Sequence, residues 1–264
     1  MQPWSIAVAA SAIFATSSAF SMFGRGGGEF YLLIMLSTLS LTYYTCAGMS
    51  LFLIMLQGLS MIIVYHGKHR FVDWGLAIVL GLIVGVCSFL GGFLSYKIPA
   101  YLLKTSFSIF LLISAYFIYK GIYVKSVKSR FGVWMRKLGD NTYRVNILYI
   151  TLPVAAAAFT AGMVGISGGG LIIPICVLLG GVPIRIAMGT NTFLVLTSST
   201  MSFAGHLIRG GFDPILGGIF GCVVIVGAQI GSRFHVKIGE RTLRKAFSLI
   251  LVVAAAWMLL KMFL

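Results

Sequence analysis

Charged side chains are scarce in this chain, and acidic side chains are the scarcest. Lys, Arg, Asp and Glu together make up 9% of the 264 residues, and only 5 residues are acidic. A soluble globular domain carries about 25% charged residues, so this composition excludes that class. The mean hydropathy is +1.02, and hydrophobic residues reach 59%. The sequence therefore predicts a polytopic integral membrane protein.

Patterns for catalysis and metal binding are also missing. The four cysteines, Cys46, Cys87, Cys176 and Cys222, fall inside apolar stretches and lack the spacing of metal ligands. They favour buried packing and imply no disulfide framework. The chain has no His/Glu metal motif and no intramembrane pair of aspartates. We therefore expect no enzymatic activity, no metal and no cofactor.

Seven apolar stretches approach or exceed the roughly 20 residues that a helix needs to cross a bilayer. They cover residues 3–22, 46–65, 74–96, 100–119, 187–207, 214–231 and 246–264. The first four residues contain no basic side chain, so the first stretch is interpreted as a retained segment and not as a cleaved signal peptide. These stretches predict an all-α polytopic fold.

The chain also contains a duplication. Residues 66–108 align with residues 206–248 at a constant offset of 140, with 10 matching positions, and the two glycine triplets follow an offset of 142. Many secondary transporters are duplicated in this way, with the substrate site between the halves. The sequence therefore predicts a first transmembrane repeat (1–120), a basic cytoplasmic linker (121–145) and a second transmembrane repeat (146–264).

The distribution of Lys and Arg favours inverted repeats. Residues 171–179 are too few to cross a bilayer, so each repeat opens either with a re-entrant hairpin at its glycine turn or with two tilted crossings. Five segments per repeat, with the linker inside, place 15 of the 20 basic residues inside and 4 outside, leaving Arg25 at a turn. A parallel arrangement gives only 11 inside and 8 outside, which fits the positive-inside rule less well.

The second repeat carries a glycine-rich element that is typical of an anion site. Glycines let the backbone approach a ligand closely, and the helix that follows presents free N–H groups and the positive end of its dipole. Close helix packing is the structural alternative, since small residues are common where membrane helices meet. The candidate binding residues are Ser167, Gly168, Gly169, Gly170, Thr190 and Asn191.

The first repeat has a matching glycine turn that contains Arg25. An ionisable residue within a membrane is a functional candidate, and a guanidinium fits an oxyanion through two parallel hydrogen bonds. The alternative is a loop charge paired with Glu29, four residues on. Glu29 is itself a candidate for proton coupling. The other candidate binding residues in this half are Gly26, Gly27, Gly28 and Ser50.

Two aspartates, Asp73 and Asp213, each follow a histidine by seven residues at matched positions in the two repeats. The histidines, His66 and His206, allow a proton relay. Loop structure, with each aspartate capping the helix that follows it, accounts for the same pattern and is favoured.

The glycine turn at 165–170, Pro174 and the element Gly189-Thr190-Asn191 together resemble the TauE/SafE sulfite exporter family, also called the 4-toluene sulfonate uptake permease family. The resemblance covers essentially the whole chain in length, duplication and segment layout. The first half departs from the family pattern. Leu32 stands at the position of the proline, and Gly48-Met49-Ser50 replaces the Gly-Thr-Asn/Ser element.

The resemblance implies transport of sulfite or an organosulfonate, and it implies coupling to a proton or sodium gradient. We expect a multi-pass carrier in the cytoplasmic membrane, working by alternating access and surrounded by lipid, with no nucleic-acid partner. The alternatives are an anion channel and a carrier for another small oxyanion or carboxylate.

Overall fold

A computed structural model describes residues 3–39, 41–67, 69–94, 100–120, 132–139, 141–166, 168–208, 211–234 and 239–263. The first half contains five helices: α1 (Pro3–Ser21), α2 (Gly28–Thr38), α3 (Tyr43–Gly67), α4 (Trp74–Leu94) and α5 (Ala100–Lys120). A hairpin of β1 (Val133–Leu138) and β2 (Asn141–Asn146) follows. The second half again contains five: α6 (Ile147–Val164), α7 (Gly169–Leu178), α8 (Ile184–Leu207), α9 (Pro214–Phe234) and α10 (Glu240–Phe263).

Such an apolar sequence is expected to form helices, because a bilayer offers no hydrogen-bond partner for a backbone N–H or C=O that is left unpaired. Within the described residues, five helices are long and apolar enough to span a membrane, namely α1, α3, α4, α6 and α9. In contrast, α2 and α7 have only 11 and 10 residues. At 1.5 Å per residue, α7 extends about 15 Å, half of a typical hydrocarbon core.

The duplication is expressed in the packing of the two halves. A glycine in one half lies against backbone atoms of a residue in the other half. The glycine at the equivalent position of the other half lies in turn against the equivalent residue of the first half. The offsets between equivalent positions are 140 or 141 residues. The paired contacts are Gly24 with Met188 and Gly165 with Ala47, Gly48 with Gly211 and Gly189 with Phe71, and Gly91 with Phe159 and Gly231 with Ser18. Each of these glycines leaves room that a methyl group would fill.

The outer face and the centre of the bundle differ in polarity as a membrane protein requires. Leu82, Leu152 and Ile215 are at least 70% exposed and belong to the apolar outer face. An apolar groove of about 410 Å³ lies on this face between α4 and α8. The polar residues of α8, among them Thr190 and Asn191, are buried. Together these features identify a multi-pass membrane protein.

Part of the predicted linker forms a β-hairpin, which was not predicted from the sequence. Residues 133–146, which reach just past the predicted linker (121–145), form an antiparallel hairpin in which Arg136 is the cross-strand partner of Tyr143. The fold is therefore not all-α. Aromatic and β-branched residues on both strands suit a pleated surface, and the hairpin packs where its polar side chains meet a buried carboxylate.

Candidate functional site

The first glycine turn holds Arg25 between α1 and α2. After α1 ends, Gly24 adopts a left-handed conformation with φ +62°, which glycine reaches without steric cost. Gly165 ends α6 in the same way, with φ +80°. Asn191 of the second half binds the first turn directly, because its Nδ2 donates to the Gly24 carbonyl at 2.7 Å. The two halves therefore meet at this turn.

Arg25 is completely buried in the centre of the protein. Its guanidinium lies 5.3 Å from the centroid of the Phe20 ring and against the Cα of Gly170. A Cβ built on Gly170 would lie 2.5 to 3.0 Å from three guanidinium atoms, so only glycine gives this space. Gly169 is flanked by Asn191 Nδ2 and by the stem of Arg25. We call Arg25, Gly169, Gly170 and Asn191 the Arg25 site.

The electrostatics of the Arg25 site favour an anion. A guanidinium that is taken out of water loses several kcal/mol of hydration. The amino-terminal turn of α7, beginning at Gly169, adds the positive end of a helix dipole and N–H groups that have no intrahelical acceptor. A small oxyanion at this position would interact favourably with both. The predicted combination of an arginine and a glycine-opened helix is therefore present in one place.

A residue that the sequence interpretation missed supports the turn. Gln57 Oε1 accepts hydrogen bonds from the Gly27 N–H at 3.1 Å and from the Tyr31 hydroxyl at 2.8 Å. Gln57 Nε2 donates to Ser21 Oγ at 2.8 Å and to the Arg25 carbonyl at 3.4 Å. The only sequence signal was a single amide side chain inside an apolar stretch. Because its amide oxygen and nitrogen already have partners in the turn, Gln57 positions Arg25.

Several of the predicted binding residues form structural hydrogen bonds in this conformation. Ser50 Oγ donates to the Gly28 carbonyl at 2.9 Å, the Gly27 N–H donates to Gln57, and Thr190 Oγ1 accepts from the Asp73 N–H at 3.1 Å. These groups hold turns and helix ends together. Gly26 is buried in the turn, Gly28 is buried at the start of α2, and Gly168 immediately precedes α7. Ser167 and the side chain of Glu29 lie outside the described part of the chain.

A second polar cluster joins the hairpin to the start of α8. Asp73 is buried, and its carboxylate accepts hydrogen bonds from Nε and Nη2 of Arg136. It also accepts from the Tyr143 hydroxyl and from the Leu76 N–H. Its own N–H donates to Thr190, the neighbour of Asn191. We call Asp73, Arg136, Tyr143 and Thr190 the Asp73 cluster. The cluster links the loop before α4 and the hairpin to Thr190, one residue from Asn191 of the Arg25 site.

The helix-capping interpretation of the two aspartates is confirmed. Asp73 Oδ1 accepts from the Leu76 N–H at 3.2 Å, and Asp213 Oδ1 accepts from the Ile215 and Leu216 N–H groups at 2.9 and 3.1 Å. Both carboxylates satisfy N–H groups at the start of a helix. Asp73 differs because the hairpin covers it, whereas Asp213 remains partly exposed.

The Asp73 carboxylate stays ionised at physiological pH. Burial raises its pKa, but the hydrogen bonds from Arg136 and Tyr143 outweigh burial and hold the pKa below its ordinary value. A carboxylate with a lowered folded-state pKa stabilises the fold above its unfolded-state pKa of about 3.9, and this stabilisation is lost as the pH falls through the folded-state pKa. At pH values above about 3.9 the Asp73 carboxylate is therefore ionised and its ion pair with Arg136 persists.

Replacing Gly170 by alanine is expected to weaken substrate binding. The new methyl group would occupy the place of the Arg25 guanidinium and push it out of line with the start of α7. We expect KM to rise about tenfold or more, because a charge-assisted hydrogen bond contributes about 1.5–3 kcal/mol. Gly218→Ala is the matched control, since nothing lies within 4 Å of a Cβ at that position. Equal KM values for the two variants would contradict a role of Gly170 and Arg25 in substrate binding.

The chain resembles known membrane proteins over nearly its whole length. Residues 8–258 match the family model described as "Sulfite exporter TauE/SafE". A "Probable membrane transporter protein" of Methanocaldococcus jannaschii is 26% identical over 257 residues, covering 91% of this chain and 90% of the relative. The "Probable membrane transporter protein YunE" of Bacillus subtilis is 26% identical over 244 residues, covering 88% and 87%. No solved structure matches significantly.

Proposed function

Because this chain belongs to the sulfite exporter TauE/SafE family, we propose that it is a secondary carrier for sulfite or an organosulfonate in the cytoplasmic membrane. The observation that carries the proposal is the fully buried Arg25 guanidinium against the glycine-opened start of α7. An ionisable residue inside a bilayer is a functional candidate, and a guanidinium beside free N–H groups suits a small anionic substrate. The second half supplies α7 and Asn191, so the site lies between the repeats.

The burial of the site supports a carrier in preference to an open channel. Arg25 and Asn191 are 0% and 1% exposed, so the substrate reaches them only when the halves move. The glycine contacts between the two halves come in equivalent pairs. They supply the interfaces at which one half can rock against the other. The Asp73 cluster closes the linker side in this conformation, and its opening would admit substrate from the cytoplasm.

The repeats are proposed to be inverted, with the linker inside. In this arrangement the loop at Asp73, the hairpin and the start of α8 lie on the same side, which agrees with their hydrogen bonds. A reporter fused after Leu264 is therefore expected to be active only if it functions outside the cytoplasm. Activity at this position of a reporter that works only in the cytoplasm would overturn the inverted topology. The same reporter fused in the linker is the control and is expected to be active.

The membrane potential makes export the easier direction. Moving one negative charge out of a negative-inside cell is favoured by about 2.3 kcal/mol per 100 mV. Efflux of sulfite would therefore need little coupling. Uptake of an organosulfonate would need protons or sodium, and Glu29, beside the turn in sequence, is our candidate for proton coupling.

The proposal is tested by sulfite flux in proteoliposomes, with sulfate, thiosulfate, a sulfonate and a carboxylate as competitors. We expect saturable flux that a sulfonate inhibits. Inhibition by the carboxylate or sulfate alone would assign a different oxyanion. Flux that increases linearly with concentration would favour a channel. Folded protein that moves none of these anions would overturn the proposed function.

A further inference from the structure

Asn191, which belongs to the Arg25 site, carries a buried side-chain oxygen that can accept a hydrogen bond. Asn191 Nδ2 donates to the Gly24 carbonyl at 2.7 Å, and this bond fixes which way the amide faces, because a carbonyl accepts only from the NH₂ side. The opposite atom, Oδ1, has no hydrogen-bond partner within the described residues, and the residue is 1% exposed. Asn191 therefore presents a hydrogen-bond acceptor in the interior of the protein.

An unsatisfied acceptor at this depth is unusual. Nearly all buried polar groups in folded proteins have a partner, and an exception calls for a ligand, a water molecule or a functional reason. The neighbouring amide of Gln57 makes a useful contrast, because both its oxygen and its nitrogen are engaged. The Asn191 amide nitrogen and the Arg25 Cγ both flank Gly169, so the side chain that carries this acceptor lines the Arg25 site.

The chemistry of the site then constrains its ligand. Arg25 and the first N–H groups of α7 can only donate hydrogen bonds, so they require acceptor oxygens on the ligand. Asn191 Oδ1 can only accept, so it requires a donor. We propose that the substrate binds as an anion that keeps one hydroxyl, either a protonated oxyanion such as hydrogen sulfite or a sulfonate with a hydroxyl group close to its sulfur. This proposal rests on the proposed function.

The test compares two sulfonates of equal charge and similar size, hydroxymethanesulfonate and ethanesulfonate, as inhibitors of sulfite flux in proteoliposomes. We expect wild-type protein to bind hydroxymethanesulfonate at least about tenfold more tightly than ethanesulfonate, because ethanesulfonate has no hydroxyl and leaves Asn191 Oδ1 unpaired. The Asn191→Leu variant is expected to lose this preference. The unmodified protein provides a second measurement. The apparent affinity for total sulfite should fall as rising pH removes hydrogen sulfite, while inhibition by ethanesulfonate stays constant.

The outcomes separate this inference from the proposed function. Equal inhibition by the two sulfonates in wild-type protein, with sulfite flux intact, would overturn the requirement for a donor and leave the carrier standing. A preference that survives in Asn191→Leu would likewise overturn the role of Asn191, with water at Oδ1 as the explanation. Absence of sulfite flux from folded wild-type protein, with no binding of either sulfonate, would overturn both.

Discussion

Arg25→Met is expected to abolish transport in protein that still folds. Methionine is close to arginine in length and fills the same space, but it offers neither charge nor hydrogen bonds. Removing the charged partner from a buried anion contact costs about 2–5 kcal/mol, so affinity should fall by at least ~30-fold. The melting temperature of the variant is measured to show that the protein is still folded.

Two further variants make this result specific. Arg25→Lys keeps the charge but loses the planar fork that binds two oxyanion oxygens at once, so it should retain weak transport. Arg233→Met makes the same chemical change at an exposed position on α9 and should behave like wild type. An Arg25→Met protein that transports with an unchanged KM would remove Arg25 from the substrate site.

Breaking the Asp73 cluster is expected to open the linker side of the bundle. Arg136→Ala leaves the buried Asp73 carboxylate without its main partner, and Asp73→Asn leaves Arg136 without its counter-charge. Removing one partner of a buried pair costs about 3–5 kcal/mol, and Arg136 is 23% exposed, so about 1–3 kcal/mol is the discounted expectation here. The population of the open state should rise about tenfold or more.

The population of the open state can be followed by thiol labelling. Ala187, in the first turn of α8, is buried, and Ala187→Cys in a background without the four native cysteines reports access from the linker side. Arg136→Ala should accelerate labelling of this cysteine. Gly75→Val is an independent test, because a side chain at position 75 would collide with the Arg136 guanidinium while leaving both charges in place. Unchanged labelling rates in both variants would contradict a closing role for the cluster.

Much of the fold could be predicted from the sequence because each signal was local or repeated. Over its described residues each of the seven apolar stretches coincides with a helix, apart from Met22. The glycines at 24 and 165 follow α1 and α6 in the same left-handed conformation. Arg25 could be found because an ionisable residue is conspicuous inside a glycine turn. Ser50 and Thr190 were harder to interpret, because a hydroxyl that binds a ligand and one that holds a helix end have the same sequence signature.

The Asp73 cluster could not be predicted because its partners are distant in sequence. Asp73 and Arg136 are 63 residues apart, and Asp73 and Thr190 are 117 apart. No periodicity links these positions. The hairpin had a local signal, two short stretches with aromatic and β-branched residues on either side of Gly139, but the basic residues in this segment also fit a solvated loop. The hydrogen bonds from the hairpin to the buried Asp73 carboxylate favour the hairpin over a solvated loop.

The central claim is that a buried arginine at the junction of two repeats binds a small anion during alternating access. The most direct measurement is sulfite counterflow in proteoliposomes, comparing wild type with Arg25→Met and Arg233→Met. We expect internal sulfite to accelerate uptake of labelled external sulfite, with saturation, in wild type and Arg233→Met, and no acceleration in Arg25→Met. Counterflow in Arg25→Met equal to that of wild type would contradict the account.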